Sequence, residues 1–255
     1  MTTSLALRNT PLCMATCNNH IDAVRLLIEL GADMVNYDFQ SMPLYKAIIL
    51  GHMDIARVFL DNGIDINAKY PNMKNETILD EVMWPYGTVI HMERLLECGY
   101  NPNYVDSYKN NSLLMDACAT ADDDKMHLLL KYGANPNIST RYGVTPLHRC
   151  ASKGKYVNES HIKLLLSHGA NPNVCDSNDR TPLHVAASSG STCATALLIE
   201  GGAYINCVDR FGESPLHKAA RNEHRYVIRT LVKYGIDMTI CNNDGLTAIE
   251  LIGRP

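Results

Sequence analysis

One short phrase built around Thr-Pro-Leu-His returns along the whole chain at nearly constant spacing. Its clearest copies begin at Thr145, Thr181 and Ser214, each followed by Pro-Leu-His. Weaker copies begin at Thr10, Met42, Thr77, Ser112 and Thr247. Successive copies start 32, 35, 35, 33, 36, 33 and 33 residues apart. A fixed period near 33 residues predicts stacked similar units, each resting on its neighbours, and not one globular core. It moves the functional question from a pocket to a surface.

Each unit carries the signals of a helix pair. In Thr181-Pro182-Leu183-His184-Val185-Ala186-Ala187, a hydroxyl precedes a proline, as at a helix N-terminus. Leu183 and the two alanines are expected to face inward, the alanines small enough for close helix approach, and Gly190 ends the helix. A second apolar stripe at helical spacing follows: Ile55/Val58/Phe59, Met92/Leu95/Leu96, Ile162/Leu165/Leu166 and Ala194/Leu197/Leu198. It runs to a glycine in every complete unit, at Gly31, Gly63, Gly99, Gly133, Gly169, Gly202 and Gly235, where a left-handed helix terminator is expected. Polar links such as Asn135-Pro136-Asn137 and turns such as Asp209-Arg210-Phe211-Gly212 complete the unit. Helices this short are unstable alone in water, so stacking must hold them.

This order of T-P-L-H-x-A-A, glycine, apolar stripe and G-A-x-x-N resembles the ankyrin repeat over essentially all 255 residues. The resemblance implies an all-α solenoid of helix-turn-helix units with projecting β-turn fingers. The units fall at about 8–40, 41–74, 75–109, 110–142, 143–178, 179–211 and 212–244, with a partial unit at 245–255, in a single array. It also implies that the threonine and histidine of each phrase hydrogen-bond within and between units, so that His148, His184 and His217 are structural.

Composition excludes several function classes. No apolar run of about 18 residues exists, so no transmembrane helix is expected, and the start lacks the apolar stretch of a secretory signal. Nine cysteines fall at unrelated places, and Cys13, Cys118 and Cys150 occupy helix positions that want a small apolar residue. Reduced, buried thiols in a cytoplasmic protein, or one shared with the nucleus, fit this usage. A net charge of −4 is too small to argue for nucleic acid or membrane. Glu76–Asp124 holds ten acidic and two basic residues, whereas Ser214–Gly235 holds five basic and one acidic.

No catalytic constellation is visible, and no enzyme is expected: nucleophile elbow, phosphate loop and dinucleotide turn are all absent. No Cys-x-x-Cys or recurring ligand pair supports a metal, and no cofactor is expected. Asp122-Asp123-Asp124 reads as a helix cap with dipole-matching acids.

The expected role is binding of another protein by a monomeric array, through finger tips and the concave helix face. Residues the repeat does not dictate are the candidates: at the fingers Tyr37, Phe39, Tyr70, Tyr108, Arg141, Tyr142, Arg180, Arg210 and Phe211. These side-chain types make large, desolvated contacts. On the first helices the free positions are Lys46, Ile49 and Leu50, Arg149, Ser152 and Lys153, and Lys218, Arg221 and Asn222. Lys218 and Arg221 adjoin Arg210, so an acidic partner segment is expected on a basic C-terminal concave face. Units three and four depart most from the pattern, with a long turn at Lys69–Glu76 and the lone tryptophan in Met83-Trp84-Pro85-Tyr86, where proline stops the first helix early. Unit five has extra residues around Tyr156–Glu159. Both ends look abrupt, as in a shortened chain. Two further roles stand beside the plain scaffold: substrate-recognition subunit of a cullin-type ubiquitin ligase with a C-terminal box, and pathogen effector acting on host proteins.

Overall fold

The computed structural model describes residues 10–35, 42–69, 77, 88–105, 111–154 and 159–252. The chain gathers into two compact bodies, Met1–Asn101 and Pro102–Pro255. The first holds α1 (Pro11–Cys17), α2 (Ile21–Glu29), α3 (Pro43–Leu50), α4 (Met53–Asp61) and α5 (Val89–Glu97). The second holds α6 (Leu113–Thr120), α7 (Asp123–Lys131), α8 (Pro146–Ala151), α9 (Glu159–Ser167), α10 (Pro182–Ser189), α11 (Thr192–Glu200), α12 (Pro215–Arg221) and α13 (Arg225–Lys233), then a 3-10 turn at Ile249–Leu251. Among the described residues extended pairing is limited to two isolated bridges, Val105 with Ser112 and Cys241 with Thr247. The fold is all-α.

The repeat phrase starts helices as its chemistry predicts. Thr145, Thr181 and Ser214 cap α8, α10 and α12 in reciprocal boxes, each with the histidine three residues on. In α10 the His184 Nδ1 accepts the Thr181 backbone N–H at 3.1 Å. Its Nε2 donates to the Glu213 carbonyl of the next repeat at 3.0 Å. His148 reaches the Arg180 carbonyl at 2.9 Å and His217 the Leu246 carbonyl at 3.0 Å in the same way. Each phrase therefore caps its own helix and anchors the following repeat. Leu183, Ala186 and Ala187 are fully buried, and α10 packs between α8 and α12. Asp122 caps α7 by accepting the Lys125 N–H at 3.0 Å, as the acidic triplet suggested.

Second helices end as expected too. The seven terminal glycines take φ between 82° and 91°, the left-handed region that favours glycine. Four residues beyond each of five of these glycines stands an asparagine with a role that the spacing alone does not disclose. Asn137 Nδ2 donates to the Gly169 carbonyl at 2.9 Å, and its Oδ1 accepts the Asn171 N–H at 2.7 Å. Asn173 repeats this with Gly202 and Tyr204, and Asn103 with Gly133 and Asn135. In the first body Asn67 does so with Gly99 and Asn101. One amide thus satisfies an orphan helix-end carbonyl and the adjoining loop in the next repeat.

Among the described residues the core of each body is apolar. In the first, Leu12, Val24, Leu44, Ile48, Ile55, Phe59 and Leu95 are buried, and the Arg94 guanidinium donates to the Ile48 and Ile49 carbonyls at the end of α3, at 3.0 and 2.7 Å. Trp84, Pro85, most of the Lys69–Glu76 turn and Tyr156–Asn158 lie outside the described residues.

Candidate protein-binding surface

Among the described residues of the second body four hairpin turns between repeats share one design. Thr140, Asp176, Asp209 and Asn242 each donate a backbone N–H to the carbonyl four residues on. Each also accepts two N–H groups with its own side chain. Asp209 Oδ1, for example, takes those of Phe211 and Glu213 at 2.9 and 3.0 Å. Asp176, Asn242 and the Thr140 hydroxyl bond the equivalent pairs. The recurring Asp, Asn or Thr is what shapes a finger, because its short side chain replaces two waters on the turn's inner N–H groups.

Neighbouring fingers are fastened to one another. Ser177 N–H donates to the Tyr142 carbonyl at 2.8 Å, Arg210 N–H to Asn178 at 3.2 Å, and Asn243 N–H to Phe211 at 3.0 Å. The contact is close: a Cβ placed on Gly143, whose φ is +73°, would sit 2.9 Å from the Cα of Asp176. A row of fingers held this tightly presents its tips in fixed register.

Two aromatic rings stand out from that row. Tyr142 is 54% exposed, with the Arg141 guanidinium 4.7 Å from its ring centroid. Phe211 is 57% exposed, with the Lys218 ammonium 5.7 Å from its ring centroid. Both pairs are amphipathic platforms of the kind that anchor interfaces. Beside Phe211 lies an open cleft of about 300 Å³, lined by Phe211, Glu213, Lys218, Arg221 and Asn242–Asp244.

The structure revises the expected basic face. Lys218 Nζ lies 2.6 Å from Asp209 Oδ2 and 2.5 Å from Glu213 Oε2, and Arg221 Nε lies 2.6 Å from Glu213 Oε1. Burial works to raise both carboxyl pKa values, yet Lys218 with the turn N–H groups at Asp209, and Lys218 with Arg221 at Glu213, outweigh it and hold both below the usual range. Two cations meet two carboxylates, so this face is neutral. The charge excess from Ser214 onward hid the two acids that stand just before it. Arg180 is likewise engaged, its Nε and Nη2 on Asp176 Oδ2 at 2.9 and 2.7 Å, and the Arg210 guanidinium donates to the Ser177 carbonyl. In repeat five Lys153 donates to the Ala119 carbonyl at 2.6 Å and Arg149 to Asn111 Oδ1 at 3.1 Å, so these positions are not free either. Long cations reach the previous repeat because its helix ends leave carbonyls unpartnered.

Two features were not among the binding candidates, although the basic block from Ser214 to Gly235 already held the first of them. Arg225, Arg229 and Lys233 fall on successive turns of α13, exposed, and among the described residues they form no ion pair. Tyr226 beside them is 75% exposed, and Tyr204 after α11 is 71% exposed. Arg225, Arg229 and Lys233 share one face only in a helix, and their spacing of four was the available signal. The candidates Tyr37, Phe39, Tyr70 and Tyr108 lie outside the described residues.

Comparison with known proteins decides the family. A family profile described as ankyrin repeats matches residues 2–70, 86–174 and 155–242, which is most of the chain. The chain is an ankyrin-repeat protein. Repeats of this family are generally protein–protein interaction modules. The chain is 27% identical over 146 residues to a Danio rerio protein named for palmitoyltransferase activity, ZDHHC13, covering 55% of this chain and 22% of that one. It is 28% identical over 148 residues to the ankyrin repeat protein FPV031 of fowlpox virus, covering 56% and 32%. It is 51% identical over 39 residues to the Mus musculus ankyrin repeat and SOCS box protein 16, covering 15% and 9%. The chain therefore spans less than a third of the length of each of these relatives. Among the described residues no helix is long and apolar enough to cross a membrane.

Proposed function

We propose that this ankyrin-repeat chain is a non-enzymatic recognition module, a monomeric array that holds a partner protein along the fingers of its second body. The observation that carries the reading is the pair of exposed platforms, Tyr142 with Arg141 and Phe211 with Lys218, on fingers whose backbones are fastened together. Neither ring is needed by the core, and each is held where ordering it on binding costs little entropy. The Tyr142→Ala, Phe211→Ala double variant is expected to keep the parent melting temperature and to bind a cross-linked, mass-identified partner at least about tenfold more weakly, on the scale of two interface hot spots. Equal capture by both proteins would overturn this assignment.

The acidic segment of the partner is placed on α13 and not on Lys218 and Arg221, whose charges are spent within the chain. Reversal to Glu at Arg225, Arg229 and Lys233 together is expected to slow association with that partner and to remove its salt dependence, since exposed charges act mainly on encounter rates. An unchanged association rate would place the acidic contact elsewhere. The nine cysteines, none of them in a disulfide, support the cytoplasm as the working compartment, with the nucleus also open to such a protein.

A second reading is that the module selects substrates for a cullin-type ubiquitin ligase. It draws on the 39-residue likeness to the mouse protein whose name carries a SOCS box. Co-purification of elongin or cullin subunits with the full-length protein from its own cells would favour it over a plain scaffold.

A further inference from the structure

The four described fingers of the second body carry an order that the two rings alone do not show. Counting from Thr140, Asp176, Asp209 and Asn242, the third residue of each turn is Tyr142, Asn178, Phe211 and Asp244. The fourth residue takes φ between 60° and 75°, and it is glycine in three fingers and Asp179 in the other. The finger between the two rings thus holds an exposed carboxylate at a place where the backbone favours glycine. Asp244 is exposed as well and lines the cleft beside Phe211. Among the described residues neither Asp179 nor Asp244 forms an ion pair. The tips therefore alternate along the row: ring, carboxylate, ring, carboxylate.

The spacing of this row follows from its bonding. Each finger is two limbs of chain joined by a backbone hydrogen bond, and each is bonded through a backbone N–H to the next. Paired limbs stand about 4.8 Å apart, so successive tips are about 10 Å apart. The first helices α8, α10 and α12 pack in that order beneath them, at the separation of about 8–10 Å usual for packed helices. A polyproline II helix rises about 3.1 Å per residue, so every third side chain returns to one face after about 9.3 Å. A β-strand covers the same distance in about three residues but turns the third side chain to its far face. An α-helix needs about six or seven residues.

We infer that this row docks an extended, basic polyproline II segment of the partner, with apolar side chains at i and i+6 on Tyr142 and Phe211, and Lys or Arg at i+3 and i+9 on Asp179 and Asp244. The inference rests on the reading of the fingers as the binding edge, and it names what lies along them. Charge complementarity supports it. The uncommitted charges at i+3 and i+9 are both carboxylates, whereas the Arg210 guanidinium is held by the Ser177 carbonyl. Arg141 lies over its own ring, opposite the uncharged residue i. Exposed aromatic rings commonly receive polyproline II segments, whose preformed backbone loses little entropy on docking. It is a different stretch of the partner from the acidic segment that meets α13.

The test uses the full chain and a fluorescein-labelled synthetic peptide of twelve residues, with leucine at the second and eighth places, arginine at the fifth and eleventh, and proline elsewhere. The row fixes the order of contacts and not the chain direction, so the reversed sequence is titrated as well, both by fluorescence anisotropy. One of the two is expected to bind, and moving one leucine by a single place is expected to weaken it at least about tenfold, the scale of a lost anchor. Moving both arginines by a single place, or making Asp179→Asn with Asp244→Asn, is expected to weaken binding by up to about fivefold for each exposed ion pair and to remove its salt dependence. The inference is overturned if neither sequence binds, if the leucine spacing is immaterial, or if the arginine positions are immaterial, the last being the result for a β-strand. Any of these outcomes, with the natural partner still lost by the Tyr142→Ala, Phe211→Ala variant, would keep the fingers as the binding edge and remove only this segment.

Discussion

Replacing Lys218 with methionine is expected to destabilise the folded chain by about 3–5 kcal/mol, the usual cost of breaking a buried ion pair from one side. The methionine keeps the stem that packs beside Phe211 and removes only the charge. Asp209 is fully buried at its side chain and Glu213 is 5% exposed, and both currently face the same ammonium. Without it, Asp209 keeps two turn N–H groups and loses the cation paired with it, and Glu213 keeps Arg221. Two carboxylates then repel inside a finger. Each responds by holding its proton to higher pH, so the deficit is expected to be largest at neutral pH and to narrow toward pH 4. Urea unfolding of parent and variant at pH 7 and pH 4.5 measures it. Adding Asp209→Asn and Glu213→Gln to the variant is expected to restore part of the lost stability, because neutral amides no longer repel. A Lys218→Met protein as stable as the parent at pH 7 would show that the cation is dispensable to the fold.

The contrast between that residue and its neighbours shows what can be read from one sequence. Thr181, Pro182 and Gly202, and His184 through its Nδ1, act within a few residues of themselves, through a cap, a fixed φ and a left-handed turn, and local chemistry announces them. The fold was legible for that reason, down to the helix starts and stops. Lys218 acts on Asp209, nine positions back, and Lys153 acts on Ala119 in the previous repeat. Which carbonyl or carboxylate a long cation reaches depends on how repeats stack, and this is not encoded in spacing within a single repeat. The same holds for Asn137 and Asn173, whose place in the pattern was visible while their double bond to the next repeat was not. Tyr142 and Phe211 were legible as candidates by subtraction, since no repeat position demands an aromatic ring there. Their exposure, and the loss of Arg180 and Arg210 to internal bonds, needed coordinates.

Acidification from pH 6.5 to 4 is expected to remove about 3 kcal/mol of stability through His184 alone, at about 1.4 kcal/mol for each unit of displaced pKa. Burial holds this imidazole down at about 4 against an unfolded value of 6.5, with the Glu213 carbonyl and Asp209 pulling it up and Lys218 pushing it down. Its folded pKa is the lower one, so the unfolded chain binds a proton that the fold refuses. The contribution is whole above pH 6.5 and is lost as pH falls toward 4. His148 is also lowered by burial and adds to the slope in the same direction. His161 is raised, so its contribution is complete below 6.5 and is lost only as pH climbs past that value. Asp176, Asp209 and Glu213, all lowered, are lost at more acid pH, below their ordinary values of 3.8 and 4.5. The interval from 6.5 to 4.5 therefore belongs mainly to the lowered histidines, His184, His148 and His91. Stereochemistry explains why the fold refuses the proton. His184 Nδ1 accepts the Thr181 N–H while Nε2 donates to Glu213, so a protonated ring would turn a donor against a donor and open the cap. His184→Gln is expected to be less stable at pH 7 and to show a slope shallower by close to one proton between pH 6.5 and 4.5, measured by urea unfolding across that range. A slope unchanged by the substitution would assign the acid loss to other groups, whereas a shallower one ties it to the bond that carries each repeat phrase into the next finger.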